Sequence, residues 1–497
     1  MTLDPDVCYR ALQARDARFD GRLFVAVTTT KIYCRPVCPA SLAKREHCRF
    51  YPSAAAAQEA GFRPCLRCRP ETAPAHGAWN GTSNTVSRGL ALIAEGTLDG
   101  DDAGVERLAE RLGVGERQLR RLFQQHLGAS PIAVAQTRRV LFAKQLIHET
   151  RLPMAEVALA AGFGSVRRFN ETFQHLYERP PSALRRAKGA NVALADGGVT
   201  VRLRYRPPYD FAAMLAFLRH RAIDGVERVE GERYLRTLRH DDVLGTVEIA
   251  HAPRATSLVA TLRFPNVRVL PGVIARLRRA FDVDVDMETV TAHLRRDPWL
   301  APLVAARPGL RAAGAWDGFE LGVRAVLGQQ VSLAAARTLC GKLVRLCGSP
   351  LRAPDGTAQP LAFAFPTPAE VHGAKLEALG MPQARRRALT ALATAALDDP
   401  GLFQPLGSIE ATVARLSAVS GLGAWSAHYI ALRAAREPDA FPASDLGLLR
   451  GATRGASRPT PKELERRSER WRPFRAYAAE QLWAADAARR QSSGAQR

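Results

Sequence analysis

The sequence predicts a multidomain, mainly α protein with two small α+β segments set among helical ones. Three observations carry this. Residues 1–78 hold six of the 8 cysteines and one short strand-like run, "RLFVAVTTT". Residues 84–188 run through one helical plan twice. The rest opens on the alternating stretch "VTVRLRY" and then turns to long helical periodicities. The expected parts are therefore 1–78 (small α+β), 84–188 (all-α), 199–306 (small α+β) and 307–488 (helical). A chain of 497 residues suits three or four domains at roughly 150 residues each. "ETAPAHGAWNGTSN" (71–84) and "AKGANVALADGG" (187–198) read as linkers, and the tail "RRQSSGAQR" reads as disordered.

The first part is too small and too rich in cysteine to rely on core burial alone. Cys34 and Cys38 in "KIYCRPVCPA", with Cys65 and Cys68 in "GFRPCLRCRP", have the spacing of a structural zinc site. A zinc held by four thiolates carries a formal charge of about minus two. Thiolates are also nucleophiles. Spacing alone therefore leaves both a staple and a reactive cluster open. Cys48, beside His47, is a spare thiol that could compete for a ligand position.

The second part contains "VERLAERLGVGERQLRRLFQQHLG" (105–128) and "MAEVALAAGFGSVRRFNETFQHLY" (154–177). Leu108, Leu112, Leu119, Leu122 and Phe123 fall at helical spacing around Gly113. Val157, Ala161, Phe169 and Phe173 do the same around Gly162. Each unit is a helix, a turn and a second helix bearing arginine: Arg117, Arg120 and Arg121 in one, Arg167 and Arg168 in the other. Such helices can enter a major groove and grip phosphates. A plain bundle with solvated arginines is the competing reading, and the tandem arrangement argues against it.

In the third part "VTVRLRYRPPYDF", "DVLGTVEIAHA" and "TSLVATLRF" read as strands, and "YDFAAMLAFLRHRA" as a helix. Beyond residue 307, helical periodicity runs through "FELGVRAVLGQQVSLAAARTLCGKLVRL", "RRRALTALATAAL", "IEATVARLSAV", "AWSAHYIALRAA" and "WRPFRAYAAEQLW". Cys340 and Cys347 sit in an apolar helical stretch and read as buried small residues. Gly421-Leu422-Gly423 lies between two helices, where backbone N–H groups can approach a phosphate. Asp445 follows a Pro-containing loop and, on its own, reads better as a helix N-cap than as a catalytic acid.

Charge points the same way as the arginine helices. The 71 Lys+Arg against 48 Asp+Glu give a net charge of +23, which favours a polyanion such as nucleic acid, although an Arg-rich composition contributes. "MTLDPDVCYR" lacks the basic and apolar regions of a signal peptide, and no apolar run reaches the roughly 18 residues of a membrane helix. A cytoplasmic protein with no membrane partner and reduced thiols is expected.

Resemblance adds specificity. "TTKIYCRPVCPA" with "FYPSAAAAQEAGFRPCLRC" resembles the zinc domain of Ada-type adaptive-response proteins across nearly all of residues 1–75. In that family the first cysteine irreversibly takes a methyl group from a DNA methylphosphotriester. The resemblance implies one Zn2+, Cys34 as acceptor and ligand, and Cys38, Cys65 and Cys68 as the other ligands. Methylation makes a thiolate a neutral thioether and weakens the cluster's repulsion of phosphate. One charge pair at about 6 Å and an effective dielectric near 20 is worth roughly 3 kcal/mol before screening. The tandem units resemble an AraC-type DNA-binding domain, two helix-turn-helices joined by a helix at about 131–149.

The hairpin with Asp445 resembles the helix-hairpin-helix DNA glycosylases. Across 199–488, "RYRPPYDFAAMLAFLRHRA", "RPGLRAAGAWDGFELGVRAVLGQQVS" and "FPTPAEVHGAKLEALGMP" are similar to AlkA-type 3-methyladenine glycosylases. This implies a TBP-like α+β domain at 199–306 and an all-α helix-hairpin-helix domain at 307–488. It implies Asp445 as the carboxylate that stabilises an oxocarbenium ion and orients water. Trp425, Tyr429 and Trp483 take the aromatic pocket positions that would stack a flipped cationic base, with core packing a near-even alternative for Tyr429. Gly421 and Gly423 would meet DNA. Gln330 stands where the family usually has an apolar wedge, and Leu446 where a tyrosine can follow the aspartate. Trp425 occupies the position at which backbone-nicking relatives carry a lysine, so a monofunctional enzyme that leaves an abasic site is expected. No Pro-Cys-His-Arg segment occurs, so direct reversal of O6-methylguanine is not expected.

Together these imply a fused damage sensor, transcription regulator and glycosylase. It would act as a monomer on alkylated and promoter double-stranded DNA and contact RNA polymerase. Two rivals remain: a pure regulator whose glycosylase half only binds DNA, and a glycosylase whose zinc domain merely docks.

Overall fold

A computed structural model of the chain describes residues 4–73, 84–99, 104–185, 198–351, 360–406, 408–453 and 457–494. The two expected linkers lie almost wholly outside these residues. The chain divides into two compact units, Met1–Tyr205 with Ala252–Arg276, and Arg206–His251 with Leu277–Arg497.

The first unit begins with helix α1 (Pro5–Gln13), whose cap Asp4 accepts from the N–H groups of Asp6 and Val7. Strands β1 (Phe24–Val27), β2 (Ile32–Cys34) and β3 (Cys48–Tyr51), helix α2 (Ala54–Glu59) and the short strand β4 (Arg63–Pro64) follow. They form a four-stranded sheet in the order β3-β1-β2-β4, antiparallel except for β2 with β4. Strand alternation splits β1 between two small cores. Val25 joins Cys8, Ala11, Leu23 and Cys48, while Phe24 and Ala26 join Tyr33, Ala57 and Phe62. Cys48 is therefore an apolar core residue rather than a competing ligand. Burial pushes its thiol up, and its Sγ lies 3.4 Å from the Lys44 carbonyl.

Helices α3 (Asn84–Ala94), α4 (Val105–Leu112), α5 (Glu116–Leu127), α6 (Pro131–Glu149), α7 (Met154–Ala160) and α8 (Val166–Tyr177) complete the tandem plan. The residues expected to face inward do so. Leu108, Leu112, Leu119 and Phe123 are buried with Leu122 packed beside them, and Val157, Ala161, Phe169 and Phe173 are buried in the second unit. Gly113 caps α4 with φ +68°, and Gly162 turns the chain after α7 with φ +86°. A Cβ on Gly162 would strike the Asp99 carboxylate, so the second turn requires glycine.

The chain continues through β5 (Val199–Arg204), α9 (Phe211–Arg221), β6 (Glu227–Glu230), β7 (Arg233–His240), β8 (Val243–Ala252), β9 (Ser257–Arg263), α10 (Leu270–Ala280) and α11 (Met287–Leu294). In the first unit β5 pairs antiparallel with β9, from Val199↔Leu262 to Arg204↔Ser257. In the second, β6, β7 and β8 form an antiparallel meander.

Helices α12 (Ala301–Ala306), α13 (Gly318–Leu327) and α14 (Leu333–Cys347) come next. The expected all-α character is interrupted by the small antiparallel pair β10 (Ser349–Pro350) and β11 (Phe363–Ala364). Then follow α15 (Pro368–His372), α16 (Gln383–Asp398), α17 (Ile409–Ser417), α18 (Ala424–Arg433), α19 (Leu446–Gly451), α20 (Pro461–Ser468) and α21 (Arg475–Gly494). The tail expected to be disordered is helical through Gly494, because "EQLWAADAARR" carries α21 onward with strong helix formers. Cys340 is buried as expected; Cys347 is only half-buried, with its Sγ 3.4 Å from the Leu343 carbonyl. Among the described residues no helix is long and apolar enough to cross a membrane.

Candidate functional site

Two constellations stand out, one in each unit. In the first, β2 delivers Cys34 and the chain turns at once, the Cys38 N–H bonding the Arg35 carbonyl at 3.1 Å. The parallel strand β4 runs beside β2, and the Cys65 N–H reaches the Tyr33 carbonyl at 3.0 Å. The Sγ atoms of Cys34, Cys38, Cys65 and Cys68 lie within 4.8 Å of one another. A tetrahedral zinc with Zn–S near 2.3 Å separates its sulfurs by about 3.8 Å, so the four residues fit the ion. The N–H groups of Arg67 and Arg35 approach the sulfurs of Cys65 and Cys68 at 3.3 and 3.4 Å, as donors to thiolates should. Hydrogen bonds within the cluster, led by that with Cys38, push the Cys34 thiol up; those led by Cys34 pull Cys65 down. Sulfurs this crowded cannot all ionise without a cation among them. Cys38, Cys65 and Cys68 are buried, and Cys34 is half-exposed.

The cluster rests on charge supplied from two sides. The Arg35 Nε donates to Asp20 at 2.8 Å, and its guanidinium also reaches the Cys68 carbonyl at 3.1 Å and the Thr72 hydroxyl at 2.6 Å. From α6, Lys144 is fully buried and donates to the Cys65 carbonyl at 2.9 Å and to Glu71 at 2.7 Å. Burial pulls the Lys144 ammonium below its ordinary value, only partly offset by Glu71. Burial would raise the Glu71 carboxyl, but Lys144 and Arg69 hold it below the usual range. Arg69 continues to Glu149 at 3.4 Å, which also accepts from the Arg202 N–H at 3.1 Å. The sequence reading missed Lys144. A lone lysine inside the apolar run "VLFAKQLI" was the available signal.

All five arginines singled out in the tandem helices are exposed. Arg120 pairs with Glu116 at 3.0 Å, Arg121 bonds Gln118 at 2.7 Å and Arg167 pairs with Glu171 at 2.8 Å, each within its own helix. Arg117 is on α5 with the first two, and Arg168 lies beside Arg167 at the start of α8, where the Ser165 hydroxyl caps its N–H.

In the second unit α17 and α18 are joined by the turn holding Gly421 and Gly423. Leu422 is buried while both glycines are exposed. Gly421 has φ +91°, and a Cβ there would strike Ala388 on α16. The Gln329 amide donates to the Gly421 carbonyl at 2.9 Å and holds the hairpin. Gln330, next in the chain, is exposed with a left-handed backbone at φ +56°.

Asp445 is half-buried and caps α19, accepting the Leu448 N–H at 2.9 Å on Oδ1. The cap reading is thus correct as far as it goes. The same Oδ1 accepts the Trp483 Nε1–H at 2.8 Å, and Oδ2 accepts the Trp425 Nε1–H at 2.8 Å. Trp425 stacks on Tyr429 with centroids 5.3 Å apart and planes 8° apart, and Trp483 meets Tyr429 edge-on at 6.3 Å. The Arg433 guanidinium lies 5.0 Å from the Tyr429 ring and 5.1 Å from the Trp483 ring, paired with Glu480 at 3.0 Å. Burial would raise the Tyr429 hydroxyl, but the charges of Arg433 and Arg221 pull it below its ordinary value. The three expected pocket aromatics are therefore brought together around the expected carboxylate. Leu446 is exposed at the start of α19.

Four family models match in chain order: the metal binding domain of Ada over 7–71, a helix-turn-helix domain over 108–187, the AlkA N-terminal domain over 200–317, and the HhH-GPD superfamily of base excision DNA repair proteins over 323–473. A Mycobacterium tuberculosis protein described as a probable bifunctional transcriptional activator/DNA repair enzyme AlkA is 41% identical over 484 residues, 97% of this chain and 96% of its own. The chain belongs to this bifunctional Ada–AlkA family. The DNA-3-methyladenine glycosylase 2 of Escherichia coli is 37% identical over 284 residues, 56% of this chain and 95% of its own. The solved 3-methyladenine DNA glycosylase of Archaeoglobus fulgidus covers 57% of this chain and 98% of its own at 20% identity with a TM-score of 0.50, a likeness of fold.

Within the Ada–AlkA chain, the four cysteines fall inside the match to the Ada metal binding domain, and Gly421, Gly423, Trp425 and Asp445 inside the HhH-GPD match. Trp483 lies beyond that match, yet α21 returns it to the carboxylate. Gly447 is a site residue that the sequence reading missed: a Cβ there would come to 3.0 Å from both Asp445 Oδ1 and Trp483 Cδ1.

Proposed function

We propose that this protein senses DNA alkylation, regulates transcription and excises alkylated bases within one chain. The division of labour is 1–78 for methyl acceptance, 84–188 for operator binding, and 199–306 with 307–488 for base excision.

For base excision, the carrying observation is the Asp445 carboxylate set beside an aromatic group at the end of a helix–Gly-x-Gly–helix hairpin. Gly421 and Gly423 admit a DNA phosphate to the hairpin backbone, and Gln330 projects toward the duplex. A flipped N3- or N7-alkylated purine is cationic and stacks on Trp425, Tyr429 and Trp483. Its departure leaves positive charge on the sugar, which Asp445 stabilises while water attacks. Trp425 in place of a lysine leaves water as the nucleophile and an abasic site as the product. The test is release of 3-methyladenine from alkylated double-stranded DNA by wild type and Asp445→Asn. Release by the wild type alone supports the reading; release by neither leaves a DNA-binding regulator.

For damage sensing, the carrying observation is that Cys34 is the half-exposed member of an otherwise buried set. A bound zinc keeps the cysteines ionised at neutral pH. The Cys34 sulfur attacks the methyl carbon of a methylphosphotriester; the S–C bond forms, the C–O bond breaks, and the electron pair stays on the phosphate as a diester anion. Mass spectrometry after incubation with methylphosphotriester DNA should place one methyl on Cys34; an unmodified Cys34 reduces the zinc domain to a docking module. Arg117, Arg120, Arg121, Arg167 and Arg168 then grip promoter DNA from α5 and α8. The activator role implies a contact with RNA polymerase, and the protein acts as a cytoplasmic monomer.

A further inference from the structure

Three N–H groups converge on the Asp445 carboxylate from three elements: Trp425 of α18, Leu448 of α19 and Trp483 of α21. A carboxylate has about four lone-pair sites, two on each oxygen. Among the described residues, Leu448 and Trp483 occupy both on Oδ1, whereas Trp425 occupies one on Oδ2. We infer that Trp425 and Trp483 are positioning residues that aim the catalytic carboxylate, so that the remaining lone pair of Oδ2 faces the reacting sugar. This rests on the reading of Asp445 as the catalytic residue.

The rings are themselves held in place. Trp425 lies parallel to Tyr429, Trp483 meets Tyr429 edge-on, and Arg433 packs against Tyr429 and Trp483 while tied to Glu480. Neither indole can swing without disturbing that group. Gly447 supplies an independent observation. Its missing side chain leaves the gap through which Trp483 reaches Oδ1, because a Cβ would press on both. Electrostatic catalysis gains most when the charged group is oriented before the reaction begins.

The variants Trp425→Phe and Trp483→Phe keep an aromatic face and lose the N–H. Gly447→Ala keeps both indoles and crowds one bond. Each would be made in the full chain. Two readouts are needed: the single-turnover rate of 3-methyladenine release, and affinity for DNA carrying a neutral tetrahydrofuran abasic analogue against a cationic pyrrolidine analogue. Loss of one hydrogen bond to a charged group predicts a rate lower by roughly ten- to a hundredfold in each Trp→Phe variant, and Gly447→Ala, which only crowds one bond, should fall less but in the same direction. The preference for pyrrolidine over tetrahydrofuran should fall with it, while tetrahydrofuran affinity stays within about twofold of wild type, since a misaimed carboxylate weakens only transition-state binding. That retained affinity also reports a folded protein. With Asp445→Asn inactive, an unchanged rate and preference in the three variants overturns the positioning role. So does a parallel loss of affinity for both analogues, which is the signature of a general loss of DNA binding. A fully active Asp445→Asn removes the parent reading and this one together.

Discussion

At the cysteine cluster four sulfurs lie within 4.8 Å of one another and must share one small volume of negative charge; at Asp445 a single carboxylate faces three N–H donors. The first site has more anion than the chain can satisfy, so it requires a cation. The chain sets the buried ammonium of Lys144 and the guanidinium of Arg35 beside the cluster, each bonded to a cysteine carbonyl and each also paired with a carboxylate. The second site is complete within the chain and uses only neutral donors. The difference matches what the proposed function asks of each. A sacrificial nucleophile needs charge held at high density and is spent once it is neutralised. A turnover carboxylate needs a fixed charge that is never consumed.

Metal removal breaks the comparison most sharply. Structural zinc sites carry apparent binding free energies of about 10–16 kcal/mol at neutral pH. Chelation, or Cys38→Ser, should therefore abolish methyl transfer and expose the amides around β1 to β4 in hydrogen exchange. Release of 3-methyladenine by the same sample should stay within about twofold of the untreated protein. Parallel loss of both activities would show that the sites are not chemically independent.

Asp445→Asn is the reciprocal experiment. It removes the anion and sets an amide N–H2 against indole and backbone donors. Base release should drop by at least about a thousandfold, the scale on which fixed transition-state electrostatics act. Methylation of Cys34 should be unaffected, since the proposed transfer uses residues of the first unit.

The charged support beneath the cysteines predicts a third effect. Lys144→Met leaves Glu71 buried with Arg69 as its remaining partner, and removing one member of a buried pair costs about 3–5 kcal/mol. Chemical denaturation of the first unit should show it. The sign with pH follows from Glu71, whose carboxyl is held below the ordinary value of 4.5. Its contribution is complete above that value and is lost as the pH falls through the lowered one. Wild type should therefore lose stability on acidification below about pH 4.5, and the variant should lose less.

The same contrast explains what could be read in advance. Cysteine spacing is local, so two ligand pairs could be expected, whereas β2 and β4, which bring them together, could not. Leu and Phe periodicity is local too, and α6 runs from Pro131 to Glu149, as the linking helix between the repeats was expected to. Asp445 could be found from its hairpin. Lys144 could not, because a lysine in a helix ordinarily snorkels to solvent. Its burial depends on Glu71 and the Cys65 carbonyl, distant in sequence. Gly447 and the polar edges of the indoles were hidden for a similar reason: their role appears only once α21 folds back onto α19. Strands β6 and β7 escaped because "ERVE" and "RYLRTLRH" look solvated. Arg236 in β7 is in fact buried, paired with Glu227 at 3.3 Å and Glu320 at 2.8 Å.

The smallest predicted effect sharpens the role of the exposed charges, as against the buried ones. Arg167 is exposed on α8 and pairs with Glu171, four residues along the same helix. A fully exposed pair of that kind contributes little, so Arg167→Ala should leave thermal stability almost unchanged. Its contribution to binding is different in kind. An arginine that neutralises a phosphate releases a condensed counterion, and the slope of log K against log salt falls by roughly one for each phosphate no longer neutralised. Operator DNA and unrelated DNA should weaken together in the variant, with the slope reduced by about one for both. Selective weakening on operator DNA alone would mean that Arg167 reads a base edge. In that case α8 would specify sequence as well as grip the backbone.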